Sequence, residues 1–281
     1  SIIKNQETLE NVEDNIPEKN KLKNKTVTED NMSNVAIQCK NCSFTYELNN
    51  KIENPCLKNI NLTINKGEIV FIIGGIGSGK SSLLLSLLGE LNQIKSAGNQ
   101  EESIFLNGSV SYLPQNPFLM IKSLRENILF WKEENLELLT KAVRNSCFVE
   151  DLKTFDEGLE KEVNEGGANF SGGQKTRINL SRCFYENSEI LLLDSPFSAL
   201  DFGTSSKIMD NLQSDEFKNK TVVAIIQNIQ FFKYASKIIL LDKGEIKFTG
   251  SPTQFEKSQF YNSYICTLNL HKIEKSKRQI E

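Results

Sequence analysis

Histidine is almost missing from this 281-residue chain: the single one, His271, stands in a lysine-rich stretch beyond the last strand pattern and reads as a solvated tail residue. Cysteine is sparse as well. Of Cys39, Cys42, Cys56, Cys147, Cys183 and Cys266, only the first two have a CxxC spacing, and no second pair or histidine follows at zinc-site distance. They read as free thiols of a cytosolic protein. No apolar run reaches the roughly 18 residues that a membrane-spanning helix needs, and no signal-peptide pattern opens the sequence. An excess of one charge is lacking too: 33 Lys+Arg against 36 Asp+Glu leave a formal −3, which gives no electrostatic case for nucleic acid as a partner. Ser1 in place of methionine reads as the start of a piece cut from a longer polypeptide.

What is present is enough apolar residue, 38%, for a sizeable core in one large α/β domain or two lobes. Residues 1–34, rich in Asn, Lys, Glu and Thr, have the composition of a flexible linker. From Val35 the pattern turns to short alternating strands, VAIQCKNCSFTYEL and CLKNINLTINKGEIVFIIGG. A strand at 109–113 precedes Pro114 and Pro117. Ser123-Leu-Arg-Glu126 has capping-box spacing and opens a mostly helical stretch to about Gly158. Strands and helices then alternate through ILLLD, FGTSSKIMDNL, TVVAIIQ, FFKYA and KIILLDKGEIKF, the last a strand pair turning at Lys243-Gly244. That alternation predicts a parallel-sheet core carrying two satellites, one β and one helical.

Between the apolar run Ile69–Ile73 and the helix pattern LLLSLLGEL lies Gly74–Ser82, GGIGSGKSS. Gly74, Gly75, Gly77 and Gly79, with Ile76 and Ser78 between them, let the backbone curl so that successive N–H groups face a polyphosphate. Lys80 then meets the β and γ phosphates, Ser81 can ligate Mg²⁺ with Ser82 beside it, and the following helix presents its positive end. A second acid-tipped apolar run is Ile190–Asp194. A carboxylate there, at the end of a buried strand next to the P-loop strand, would hold the Mg²⁺ shell.

The string FSGGQKTR, Phe170–Arg177, together with the P-loop, Gln115 and the apolar run ending in Asp194, resembles the nucleotide-binding domain of ABC transporters. GSVSYLPQNPF, SLRENILF and FSGGQKTRINLSR resemble, more narrowly, the first such domain of the C subfamily, the multidrug-resistance-associated proteins and their relatives. The resemblance covers about residues 35–265. It implies an α/β P-loop NTPase cassette with a parallel-sheet core, an antiparallel β subdomain and an α-helical subdomain at about 116–180, followed by a charged tail at 266–281. It implies ATP and Mg²⁺ as ligands and a place on the cytoplasmic face of a membrane, within an integral membrane protein.

The same resemblance assigns roles. Tyr46 stacks on adenine, with Phe44 as its competitor for that role. Gln115 senses Mg²⁺ and the γ-phosphate. Asp201 lies in a loop crossing between paired domains. Ser171, Gly172, Gly173 and Gln174 serve the ATP of a second, head-to-tail nucleotide-binding domain. Phe130, followed by Trp131, docks on transmembrane domains. Two positions depart from the family: Ser195 stands where a glutamate polarises the attacking water, and Gln227 where a histidine closes TVVAIIQ. Neither is a base at neutral pH. The expectation is a degenerate site that holds ATP and turns it over slowly or not at all.

Related classes compete. Coiled-coil ATPases insert hundreds of residues where 56 positions separate Gln115 from Ser171, and that length suits a compact helical lobe. Soluble twin-cassette ATPases carry two cassettes per chain. An ATP-gated anion channel of the same subfamily has a similar Asp194-Ser195-Pro196-Phe197 segment, but Tyr46 to Gly74 is short and lacks that channel's regulatory insertion. A transporter is the favoured expectation.

Overall fold

Five consecutive apolar residues, Ile69–Ile73, form strand β3, buried on both faces at the centre of a sheet. A strand without polar alternation needs cover on both sides, and three other strands of the sheet read the same way: β7 (Ile190–Leu193), β8 (Thr221–Ile225) and β9 (Lys237–Asp242). The computed structural model of the chain describes residues 33–47, 55–94 and 102–278, with side chains to Asn269. The expected linker at 1–34 therefore lies outside the described residues save its last two. Asn34–Glu281 form one unit.

Among the described residues the large sheet runs β10-β9-β3-β8-β7-β6, with β6 at Val110–Leu113 and β10 at Glu245–Gly250. The strands from β9 to β6 are parallel, and only β10 is antiparallel. The two faces sort by alternation. Phe71, Ile73, Leu191, Leu193, Val222 and Ala224 join one apolar cluster, and Val70, Ile72, Leu192, Val223 and Ile225 the other.

The first face is covered by helices. Helices α2 (Leu124–Leu129), α3 (Leu136–Asn145) and α4 (Val149–Leu152) pack with α5 (Gly172–Tyr185) through Leu124, Ile128, Leu139, Phe148, Ile178 and Leu180. Ser123 and Glu126 close the expected capping box. The second face is covered by α1 (Lys80–Leu87) and an antiparallel sheet in which β1 (Val35–Thr45) pairs with β2 (Leu57–Asn65), β4 (Asn92–Ile94) and β5 (Ser103–Leu106). Sequence patterning anticipates β1 and β2 but not β4 or β5, which are three and four residues long.

In β1 the pairing register shifts between Cys39 and Cys42, where Asn41 adopts a φ of 49°. The bulge turns both thiols inward, and both are free and buried. Among the described residues no group of His, Cys, Asp or Glu is arranged to hold a metal.

Helix α6 (Phe202–Leu212) follows β7, and α7 (Pro252–Glu256) and α8 (Phe260–Arg278) follow β10. The boundary expected at 265/266 falls inside α8, which runs through it without a break. Tyr264 buries against Phe232 and Phe255 and anchors that helix to the domain. The side chain of His271 lies outside the described residues.

The two sheets meet at the β9–β10 turn. Gly244, at φ 79°, donates its N–H to Ser78 O at 3.0 Å and accepts from Lys58 N at 2.8 Å. A Cβ on it would stand 2.4 Å from Cys56 O, so only glycine allows this approach.

Candidate functional site

The P-loop leaves the C-terminal end of β3 and folds back over it. Gly74, at φ 150°, passes so close to β9 that a Cβ would lie 2.2 Å from Leu241 O. The Lys80 ammonium sits inside its own loop, donating to Gly75 O at 2.6 Å, Gly74 O at 3.1 Å and Ser78 Oγ at 3.4 Å. Burial lowers the Lys80 pKa from its ordinary value, and the Asp194 carboxylate partly opposes that shift. A cation in a ring of neutral acceptors, with a carboxylate in range, is poised for an anion.

Asp194 is buried at the end of β7, its N–H donating to Leu113 O at 2.9 Å. The expectation that its strand adjoins the P-loop strand is incorrect: β8 pairs with both and lies between them. Strand order depends on long-range pairing, which a local apolar run does not encode. Asp194 nevertheless reaches the loop's field, as its effect on Lys80 shows. It also helps burial push the Tyr112 phenol up to about 12.

Ser81 and Ser82 line a cavity of about 400 Å³ with Cys56, Gly77, Lys80 and Lys243. Tyr46 is exposed, and its hydroxyl shares a 2.9 Å hydrogen bond with Ser82 Oγ. Phe44 is 1% exposed and packs in the core under β1, so it offers no ring face to a ligand.

Gln115, Ser195 and Gln227 line a second cavity, of about 300 Å³, with Phe197, Phe202 and Phe231 among its walls. Among the described residues, none that lines it carries an ionisable side chain. Ser195 sits at φ 53° and donates to Asp194 Oδ1 at 3.1 Å. The carbonyl of Gln227 accepts from the Tyr264 hydroxyl at 3.4 Å. Ser81 lines one cavity and Gln115 the other, so the two are not brought into one cavity; with the carboxylate of Asp194 they would offer an oxygen donor set with one charge. Such a set fits Mg²⁺ brought in with phosphates rather than a cation caged by protein alone.

Ser171 to Gln174 stand apart from both cavities. Ser171 caps α5, its Oγ accepting from Gln174 N at 3.2 Å while Gln174 Oε1 accepts from Ser171 N at 2.9 Å. Gly173 packs against the Ala199 carbonyl, 3.1 Å from where its Cβ would be. Asp201 caps α6 through Thr204 N at 2.8 Å and Thr204 Oγ1 at 2.7 Å. Cap and neighbouring loop thus form one surface, with the Ser171 hydroxyl and helix N-terminus outward.

Residues 57–198, half of the chain, match the family model described as ABC transporter. The chain belongs to the ABC transporter family. This ABC domain is 36% identical over 219 residues to "ABC transporter C family member 8" of Dictyostelium discoideum, covering 77% of the chain and 13% of that protein. It is 31% identical over 236 residues to "ATP-binding cassette sub-family C member 4" of Homo sapiens, covering 84% and 17%. It is 39% identical over 198 residues to "Cystic fibrosis transmembrane conductance regulator" of Danio rerio, covering 70% and 13%. The chain therefore spans less than a fifth of the length of these relatives. Among the described residues no helix is long and apolar enough to cross a membrane.

The ABC domain also holds residues that sequence reading passes over. Asp151 of α4 takes Arg177 in a bidentate pair at 2.7 and 2.8 Å and accepts from Gln174 Nε2 at 3.2 Å, so the helical lobe grips α5. Asn127 is fully buried and its side chain makes hydrogen bonds to Met120, Lys122 and Ser123, while Arg182 reaches it from α5. Partners 26 and 55 positions apart leave no local signal.

Proposed function

We propose that this chain is the ATP-binding domain of a C-subfamily membrane transporter, with Mg-ATP at its own P-loop and its Ser171–Gln174 turn completing the site of a second, head-to-tail domain. Gly74–Ser82 cradle the phosphates, and Lys80 leaves its loop carbonyls for the β and γ oxygens. Tyr46 stacks on adenine. Ser81, Gln115 and Asp194 hold Mg²⁺, which supplies charge neutralisation at the phosphates. Phe130 and Trp131, 39% and 75% exposed, belong to the face that meets transmembrane domains.

One observation carries the reading of a slow site: the cavity at Gln115 is walled by Ser195, Gln227 and three phenylalanines, with no group able to take a proton from water. Losing a general base costs about 10²- to 10⁴-fold. Equilibrium binding of Mg-ATP to the chain with a parallel phosphate-release assay tests this. Binding without appreciable release, abolished in Lys80→Ala, is expected; brisk release by the chain alone at low concentration would refute it. Export of a substrate is the role inferred for the whole protein. An ATP-gated channel is the second reading, favoured by Asp194-Ser195-Pro196-Phe197 and by the 39% identity to the zebrafish conductance regulator.

A further inference from the structure

The turn between β9 and β10 puts a lysine where a tight hairpin favours asparagine, aspartate or glycine. Asp242 pairs with Glu245, so Lys243 and Gly244 form a two-residue loop. Both hold positive φ, 48° and 79°, as a type I′ turn requires. Glycine takes that conformation freely, whereas a long side chain adopts it against its preference. The turn is also fixed from two sides: Gly244 donates to Ser78 O of the P-loop at 3.0 Å and accepts from Lys58 N of β2 at 2.8 Å. Lys243 is thus held beside the P-loop in a strained conformation, and strain of this kind gathers at ligand sites.

The other lysines of this strand pair have partners in the fold. Lys237 binds Glu68 at 2.7 Å, and Lys247 pairs with Glu245. Among the described residues the exposed Lys243 ammonium has neither a hydrogen-bond nor an ion-pair partner. It lines the cavity of about 400 Å³ that Lys80, Ser81 and Ser82 also line. Among the described residues around that cavity two are lysines and none is a carboxylate. Two cations facing one space without an acid between them favour a polyanion.

The two lysines approach it from different sides. Lys80 donates to Gly74 O and Gly75 O at the start of the loop, where the Asp194 carboxylate is in range. Lys243 comes from the side of Tyr46. Its neighbour Gly244 abuts Cys56 O, and the N–H and thiol of Cys56 both donate to Phe44 O, at 2.9 and 3.2 Å, two residues before Tyr46. With the base on Tyr46 and the β and γ phosphates at Lys80, the charged group that falls between them is the α-phosphate.

We propose that Lys243 binds the α-phosphate of the nucleotide. The proposal rests on the nucleotide-site reading and adds a second cation to it, supplied by the β9–β10 turn and not by the P-loop.

Lys243→Asn separates binding from folding, because asparagine tolerates positive φ and carries no charge. In the full 281-residue chain this variant should melt at or above the wild-type temperature yet bind Mg-ATP about tenfold more weakly at low salt. The same factor is expected with Mg-ADP and with 2′-deoxy-ATP, and it should shrink at about 1 M salt. Lys58→Asn removes a nearby lysine that does not line the cavity, and it should bind as wild type does. Titration calorimetry and thermal unfolding measure all of these. Unchanged affinity in Lys243→Asn overturns the proposal, and so does an equal loss in Lys58→Asn, which would make the effect a distant field. A loss seen with ATP but not ADP moves the lysine to the γ-phosphate, and one absent with the deoxynucleotide moves it to the ribose; either result overturns the α-phosphate assignment. Wild-type protein that binds no nucleotide sinks the nucleotide-site reading along with this one.

Discussion

Phe44 near the end of β1 and Tyr46 just past it sit two residues apart and meet opposite surroundings. Phe44 fills the core beneath the antiparallel sheet, whereas Tyr46 stands in solvent with its hydroxyl on Ser82 of the P-loop. The two substitutions should therefore separate affinity from stability. Tyr46→Ala is expected to weaken ATP binding by about 1–3 kcal/mol, the usual worth of a base stacked on an aromatic ring, with little effect on melting. Phe44→Ala should cost about 3–5 kcal/mol of folding free energy. Calorimetric titration and thermal unfolding measure the pair, and a Tyr46→Ala protein that binds ATP normally would remove the adenine platform from this position.

At the scale of elements, the cap of α6 is an exposed polar side chain. Asp201 accepts from the Thr204 hydroxyl and then from its amide, which together hold the carboxyl below the ordinary aspartate value. A depressed folded-state pKa contributes stability that is present above the unfolded value and is lost as pH falls through the folded one. The N-terminus of α6 should thus fray below about pH 4, and Asp201→Asn should abolish that pH dependence while leaving the helix in place. NMR titration of Thr204 reads both; an unshifted Asp201 midpoint would contradict the cap. Elements of this kind are legible in sequence because their causes are local. The capping box at Ser123, the turn at Lys243-Gly244 and the glycine loop all appear where residue spacing puts them. Strand order does not, since β8 inserts between β3 and β7 by pairings more than 25 residues distant in sequence. The Arg182–Asn127 and Arg177–Asp151 links are equally hidden, being choices among many basic residues that only packing makes.

For the molecule as a whole, the surface bearing Ser171 and the cavity bearing Ser195 belong to different chemistry. Ser171→Arg in the intact protein should leave ATP binding at this P-loop unchanged, because the serine lines neither cavity. It should depress total ATPase activity by about 10²-fold or more, the scale for losing one preorganised anion donor. Ser195→Glu should restore little. The new carboxylate would replace a hydroxyl that donates to Asp194 and would repel it, and Gln227 still offers no imidazole. Nucleotide binding and turnover of both variants decide the matter, and loss of this chain's own ATP binding in Ser171→Arg would move the serine into the cis site.

In the proposed site, the seam at Gly244 would make ATP a bivalent ligand. Its base would be taken by Tyr46, just past the end of β1 in the antiparallel sheet, and its phosphates by a loop of the parallel one. The spacing of the two anchorages is set where Gly244 joins Ser78 to Lys58 with no room for a Cβ. Each end raises the effective concentration of the other, a gain that depends on span and needs no contact of its own. Gly244→Ala wedges the sheets apart while leaving both anchorages chemically intact. Affinity for ATP should fall, whereas affinity for inorganic triphosphate, which engages one sheet only, should not.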